Sequence, residues 1–282
     1  MITGKTFIYG IIGDPVEHTF SPYMHNSAFK ALGINARYLP FCVKKECLPV
    51  AVEGLKILGA KGFNVTIPHK EAIMKFMDGI SSEAKFLGAV NTVVIRDGKL
   101  YGHNTDGLGF IDSLKFDAAL NLKGKNIFIF GAGGAGRAIA FSLVRERVSR
   151  IVICDIDFKK AADLAGSLPK KVFYEALAIG FDKKAIENLI LNSHIVINAS
   201  PVGMKSEDPL LVDPGWLRKE LLIYDVIYNP LKTKLIKLAE SRGLVAINGI
   251  NMLLRQGARS FELWTKKRAP LEIMRKALKE KI

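Results

Sequence analysis

The most constraining stretch of this 282-residue chain is Ile127-Phe128-Ile129-Phe130 followed directly by Gly131-Ala132-Gly133-Gly134-Ala135-Gly136. Four consecutive apolar residues read as a buried parallel strand, and the pattern G-x-G-x-x-G then opens a helix that runs to about Glu146. Gly131 permits the tight turn, Gly133 lets backbone approach a pyrophosphate, and Gly136 lets the helix pack close to the strand. Ala132, Gly134 and Ala135 complete the turn, whose N–H groups and partial positive charge suit phosphate. Further strands are expected at 151–154, 172–174, 195–198, 221–226 and 244–247, each paired with a helix. That rhythm predicts a doubly wound, Rossmann-like parallel sheet. Asp155 stands 19 residues after Gly136, just past the second strand. A carboxylate there accepts hydrogen bonds from both ribose hydroxyls of NAD and repels the 2′-phosphate of NADP. Capping of the next helix is the alternative role for Asp155, and Asp157 suits that role too.

The N-terminal third has its own α/β pattern. Strands are expected at 7–12, 36–41 and 63–65, with helices at 22–32 and 46–58 between them. Segments 92–95 and 100–101 flank Asp97-Gly98, a hairpin signal. A helix follows Asp106 to about Lys115, and two more are expected at 251–264 and 270–281. The reading is therefore two α/β domains. The first spans 1–106, completed by helices at about 250–282, and the second, dinucleotide-binding domain spans 107–249.

Composition excludes several classes. With 49% hydrophobic and 24% charged residues the chain is neither disordered nor low-complexity. No apolar run approaches the roughly 18–20 residues of a membrane span, and the first residues lack a signal-peptide core. Cys42, Cys47 and Cys154 have no metal-type spacing, so neither a metal site nor a disulfide framework is expected and a cytoplasmic setting follows. The net charge is +14. Residues 255–282 hold nine Lys/Arg against three Glu, +6 of that total. A solvated helix face accounts for this tail better than a nucleic-acid patch, because no aromatic-interleaved basic motif accompanies it. No nucleic-acid or membrane partner is expected; the field suits a small anionic substrate.

Three segments are dense in polar side chains at strand ends. The first is His18-Thr19-Phe20-Ser21-Pro22, where a helix cap ahead of the proline accounts for Ser21 but not for Thr19. The second is Asn64-Val65-Thr66-Ile67-Pro68-His69-Lys70, which places Lys70 in the first turn of a helix, where the macrodipole disfavours a cation. The third is Gly88-Ala89-Val90-Asn91-Thr92 with Asn104-Thr105-Asp106-Gly107, where Asp106 taken alone reads as an N-cap.

These segments resemble the shikimate dehydrogenase family. So do Asn198-Ala199-Ser200-Pro201-Val202-Gly203-Met204, Asp225-Val226-Ile227-Tyr228 and Asn251-Met252-Leu253-Leu254-Arg255-Gln256-Gly257-Ala258. The resemblance covers the whole chain in order. It implies reversible, NAD(P)-dependent oxidation of shikimate to 3-dehydroshikimate, in chorismate and aromatic amino-acid biosynthesis. It implies that the 1–106 domain binds substrate and is catalytic, with the active site in the cleft between the two domains, Lys70 and Asp106 as the catalytic pair and Thr19 and Ser21 at the substrate carboxylate. It further implies Asn64, Thr66, Asn91, Tyr228 and Gln256 at the ring hydroxyls, and the nicotinamide near Val226 and Gly249.

Two departures stand out. Thr19 fills the first position of a Ser-x-Ser-Pro pattern. Asp155-Ile156-Asp157 replaces the Asn-Arg-Thr of NADP-preferring members, which points to NAD, with NADP still possible, and to the NAD-using quinate/shikimate branch. Quinate is thus an alternative substrate, and a catalytically silent dinucleotide-binding regulator is the alternative of another class. The expected assembly is a monomer or homodimer.

Overall fold

The computed structural model describes residues 2–169 and 174–281. The chain forms two compact units, residues 1–109 with 254–282 and residues 110–253. In chain order the first unit opens with β1 (Phe7–Gly13), α1 (Ser21–Ala31), β2 (Ala36–Cys42), α2 (Leu48–Ile57) and β3 (Gly62–Val65). It continues through β4 (Gly79–Ile80), α3 (Ser82–Leu87), β5 (Thr92–Arg96), β6 (Lys99–His103) and α4 (Asp106–Asp112). The second unit carries β7 (Asn126–Phe130), α5 (Gly134–Arg145), β8 (Arg150–Cys154), α6 (Phe158–Ser167) and β9 (Glu175–Ile179). After these come α7 (Lys183–Leu191), β10 (Ile195–Asn198), β11 (Leu222–Asp225), α8 (Lys234–Ser241) and β12 (Ala246–Ile247). The chain closes with α9 (Ile250–Thr265) and α10 (Leu271–Lys279).

The second unit is a six-stranded parallel sheet in the order β12-β11-β10-β7-β8-β9. The strand order reverses between β7 and β10, and in such sheets ligands bind beyond the carboxyl ends at that point. The sheet is apolar on both faces, as helix-covered parallel strands require. Phe128, Phe130, Val152, Val196 and Ile223 pack with Ile186, Ile190, Leu235, Ile236 and Trp216. Ile127, Ile129, Ile151, Ile153, Ile195 and Ile197 are buried as well. The strand expected over 172–174 falls on Val172 and Phe173, outside the described residues; the third strand is Glu175–Ile179.

The first unit is a mixed six-stranded sheet, β2-β1-β3-β5-β6-β4. β1 pairs parallel with β2 and β3, whereas β5 is antiparallel to both β3 and β6. Asp97-Gly98 makes the β5–β6 turn, with both residues at positive φ. One face buries Ile12, Phe63, Val93 and Leu100 against Leu48, Val52 and Leu55 of α2 and Ala84 of α3. α3 and β4 escape the sequence reading because they span only six and two residues. The α3 boundaries are nonetheless coded: the Ser81 hydroxyl accepts from Ala84 N–H, and Gly88 ends the helix at φ 65°.

Another part of this unit is an aromatic cluster. Tyr9 stacks on Phe29 at 5.1 Å, Trp264 lies 5.2 Å from Tyr9, and His25 stacks on Tyr38 at 4.5 Å. Trp264 donates its indole N–H to the Val93 carbonyl at 2.9 Å, and Gly62 leaves room for the ring, since a Cβ there would sit 2.5 Å from it or less.

His25 is fully buried, and neither ring nitrogen has a hydrogen-bond partner among the described residues. Burial pushes its pKa down to about 3, so the ring is neutral in the folded chain and protonates near 6.5 when unfolded. The unfolded state therefore takes up a proton that the folded state refuses, and stability falls as pH drops from about 6.5 towards 3. The slope from this one group approaches ~1.4 kcal/mol per pH unit. We expect His25→Phe to flatten that decline, measured as the urea midpoint at pH 7, 6 and 5. A wild-type midpoint that falls no faster than the variant's would refute the assignment.

Candidate active site

The lysine expected in a helical first turn lies instead in a turn before a five-residue 3₁₀ helix, Ala72–Phe76. The segment is too short for an α-helix, because the chain turns extended at Met77 to enter β4. A helix dipole is therefore not the field at Lys70. The neighbouring charge is Asp106, whose Oδ2 lies 2.5 Å from Lys70 Nζ. The two side chains are 21% and 11% exposed, dry enough for a strong charge-assisted contact yet open to a ligand.

Asp106 is the first residue of α4, and its N–H is bonded by the Asn104 side chain at 3.0 Å. It stands inside the helix rather than at the N-cap that sequence suggested, and both carboxylate oxygens hold side chains. Asn91 Nδ2 donates to Oδ1 at 2.7 Å and also reaches Thr105 Oγ1 at 3.0 Å. Asn91 Oδ1 accepts from Thr105 N–H at 2.9 Å and from the Thr92 hydroxyl at 2.9 Å.

Asn64 sits deeper in the same network. Its Oδ1 accepts from Tyr38 at 2.7 Å, and its amide donates to the Asn91 carbonyl, the Thr92 hydroxyl and the Ser260 hydroxyl at 3.0–3.1 Å. Ser21 is buried, and the Thr19 hydroxyl accepts its N–H at 3.3 Å. The helix cap imagined for Ser21 is absent: Phe20 occupies the cap position without a side-chain bond. Gln256 meets Thr105 at 3.4 Å. Thr66 bonds Ile12 through its backbone and lays its side chain over Gly13. Ser260 is the member that sequence reasoning missed. It follows Gln256 by four residues, so helical spacing from Gln256 was the available signal.

Tyr228, Val226 and Gly249 belong to the other unit. Val226 N–H bonds the Asn198 carbonyl at 2.9 Å, and a Cβ on Gly249 would fall 1.9 Å from the Val226 carbonyl oxygen. Burial raises the Tyr228 phenol pKa. Asp225, fully buried beside them, accepts from Asn198, Thr233 and Ile227, and burial pushes its pKa up to about 6.

The glycine turn divides into two kinds of position. Gly131 has φ 98°, and a Cβ there would lie 2.8 Å from the Ala199 backbone; a Cβ on Gly136 would lie 2.0 Å from the Gly131 carbonyl oxygen. Gly133 and Gly134 face open space. The first helical bond of α5 runs from Arg137 to Gly133 at 2.8 Å, so the N–H groups ahead of it are free of helical partners. An open, side-chain-free helix start beyond the switch strand fits a dinucleotide pyrophosphate. Asp155 flanks it: one carboxylate oxygen accepts Ala132 N–H at 2.8 Å and the other Asp157 N–H at 2.9 Å. The cap of α6 is Asp157, through Lys159 N–H at 3.1 Å.

Comparison with known proteins agrees with this geometry. Residues 11–93 match the shikimate dehydrogenase substrate binding domain, 113–211 the shikimate / quinate 5-dehydrogenase profile, and 249–279 the shikimate 5′-dehydrogenase C-terminal domain. A shikimate dehydrogenase (NADP(+)) from Methanopyrus kandleri is 44% identical over 99% of this chain and 97% of its own. The chain belongs to the shikimate dehydrogenase family. Among solved structures, the Listeria monocytogenes shikimate 5-dehydrogenase in complex with shikimate and NAD has a TM-score of 0.91 at 38% identity, covering 98% of each chain. A Corynebacterium glutamicum quinate dehydrogenase in complex with NAD has a TM-score of 0.89 at 32% identity, covering 98% of this chain and 99% of that one. As a shikimate dehydrogenase family member the chain is an oxidoreductase acting on a CH–OH group with a nicotinamide dinucleotide. No helix among the described residues is long and apolar enough to cross a membrane.

The two glycine classes give opposite expectations within this family fold. Gly133→Ala should leave the Tm nearly unchanged and raise the dinucleotide KM about tenfold or more, a loss of ~1.4 kcal/mol. Gly136→Ala should lower the Tm by several degrees, because ~2 kcal/mol of backbone clash shifts a domain of this size that far. Equal effects of the two on Tm would contradict the division.

Proposed function

We propose that the chain interconverts shikimate and 3-dehydroshikimate, with Lys70 and Asp106 at the reacting C3 oxygen. The observation that carries this reading is the 2.5 Å Lys70–Asp106 contact, held on its far side by Asn91. When bound, a nicotinamide dinucleotide supplies the hydride acceptor in one direction and the hydride donor in the other. Reduction of the ketone leaves charge on the C3 oxygen. Lys70 stabilises that charge and gives the oxygen its proton; in oxidation the proton returns to Nζ. Asp106 orients Nζ and accepts from the substrate hydroxyl. Thr19 and Ser21 take the substrate carboxylate, and Thr66, Tyr228 and Gln256 take ring hydroxyls. The amides of Asn64 and Asn91 already have protein partners at each position, which supports a role in shaping that subsite.

The same reading extends to the cofactor, with Val226 and Gly249 beside the nicotinamide and NAD preferred over NADP. Its support is the Asp155-Ile156-Asp157 edge, where Ile156 is 90% exposed and offers nothing to a 2′-phosphate. Both Asp155 oxygens keep a lone pair for the ribose hydroxyls. Lys160 is drawn to Asp157 at 3.7 Å. The Methanopyrus relative carries NADP(+) in its name, so this edge makes a specific prediction against the pattern of its relatives.

Turnover followed at 340 nm with shikimate or quinate and NAD⁺ or NADP⁺ tests both parts. Shikimate should turn over, with kcat/KM for NAD⁺ about tenfold or more above that for NADP⁺. Carboxylate–phosphate repulsion at a half-buried site is of that order, ~1–4 kcal/mol. A preference for NADP⁺ would overturn the Asp155 assignment, and quinate as the better substrate would change the substrate but keep the pair. Lys70→Ala should lower kcat by about 10²–10⁴ with a smaller change in shikimate KM; an unchanged kcat would remove Lys70 from the chemistry.

A further inference from the structure

The β5–β6 register sets Thr92 opposite His103 and Val94 opposite Tyr101, with Arg96 opposite Lys99 at the turn end. Alternation along a strand puts Thr92, Val94 and Arg96 on one face, away from Val93, which enters the core with Leu100. α9 follows that face. Gln256 and Ser260 bond Thr105 and Thr92 at one end, and Leu263, one turn further on, lines a cavity with Val94 at the other. Beyond Leu263 the seam opens into this cavity, of about 420 Å³.

The chemistry of this cavity is specific. Ile80, Val94 and Leu263 give it apolar walls, and Tyr101 lies over Gly79, where a Cβ would meet the ring at 2.9 Å. Arg96, Lys266 and His103 line it with no carboxylate among the lining residues. Neither Arg96 nor Lys266 has an ion-pair partner among the described residues. Lys266 is also in an unusual conformation. Its φ is 58°, and its N–H bonds the Glu262 carbonyl at 3.0 Å, the left-handed stop of α9. Glycine fills that stop at lower energy, by about 1 kcal/mol. A cation near a helix end recovers part of this, but Lys267 and Arg268 supply the same charge without the strain. The stop sets Lys266 in the wall of the cavity. His103, half-buried beside it, has its pKa lowered by burial and, to a lesser extent, by Lys266.

We propose that this cavity is a second anion site, separate from the catalytic pair, for a small organic acid with a flat apolar body. The acid group lies between Arg96 and Lys266, and the ring lies against Tyr101, Val94, Ile80 and Leu263. The volume lies within the range of small-molecule pockets, about 300–1,000 Å³. Apolar walls with only Ser81 and Tyr101 as hydroxyls select an aromatic acid over a polyhydroxylated one. The proposal rests on the first unit alone and stands whether or not shikimate is the substrate at Lys70.

Calorimetric titration of the full chain tests it, with 2-naphthoate as the probe, 2-naphthamide as the uncharged control and inorganic phosphate as the control without an apolar body. Naphthoate should bind once, and both controls should bind about tenfold or more weakly. Arg96→Ala and Lys266→Gly should each weaken naphthoate about tenfold or more. Lys266→Gly should meanwhile hold or raise the Tm, so its loss of binding is not loss of fold; should it fail to fold, exposed Arg96 carries the test. No heat with millimolar naphthoate, or binding unaffected by both substitutions, overturns the site. Phosphate binding as well as naphthoate overturns the ligand class.

Discussion

The contact between Lys70 and Asp106 constrains more of the first unit than any other. Two opposite charges, each mostly withdrawn from water, are stable only if their remaining hydrogen-bonding positions are filled. Asp106 fills them with Asn91, Asn91 with Thr105 and Thr92, and those in turn with Ser260 and Asn64. Removing one partner leaves a buried donor or acceptor unmet, at about 1–3 kcal/mol each. The network therefore ties β3, β5, α4 and α9 into one polar core within an otherwise apolar α/β unit. It also explains why so many polar residues sit at strand ends with no solvent to face.

The second unit solves a different problem by the absence of atoms. At Gly131 and Gly136 a single added carbon would strike backbone, so these positions fix the approach of β7, α5 and the Ala199 segment. At Gly133 and Gly134 the missing carbon leaves room for something that is not protein. One short motif thus combines an internal packing requirement with an open, side-chain-free surface. Asp155 joins the two, because it holds the turn through Ala132 while presenting charge at its edge.

The sheet face shared by Thr92 and Arg96 carries two polar regions of opposite character. The Thr92 end is neutral and internally satisfied, and the Arg96 end is cationic and unpaired among the described residues. α9 serves both, with Gln256 and Ser260 over one and Leu263 over the other. Part of the chain's large positive charge is thereby concentrated in one cavity.

The glycine spacing, the strand–helix rhythm and the ordered polar motifs were legible in the amino-acid sequence alone, because each is a local pattern with a local physical cause. They carried the parallel sheet and the family resemblance, and through that resemblance the pairing of Lys70 with Asp106 as an expectation. Three things were decided only by the folded chain. Lys70 stands in a turn before a 3₁₀ helix and not in the first turn of an α-helix, and the chain is extended again at Met77. Ser260 joins Asn64 across 196 residues, a contact no local pattern encodes. Asp155 and Asp157 divide the cap and the turn between them, which sequence left open because either carboxylate satisfies the same local rule. Local spacing sets which groups a segment can offer; long-range packing sets which of them meet.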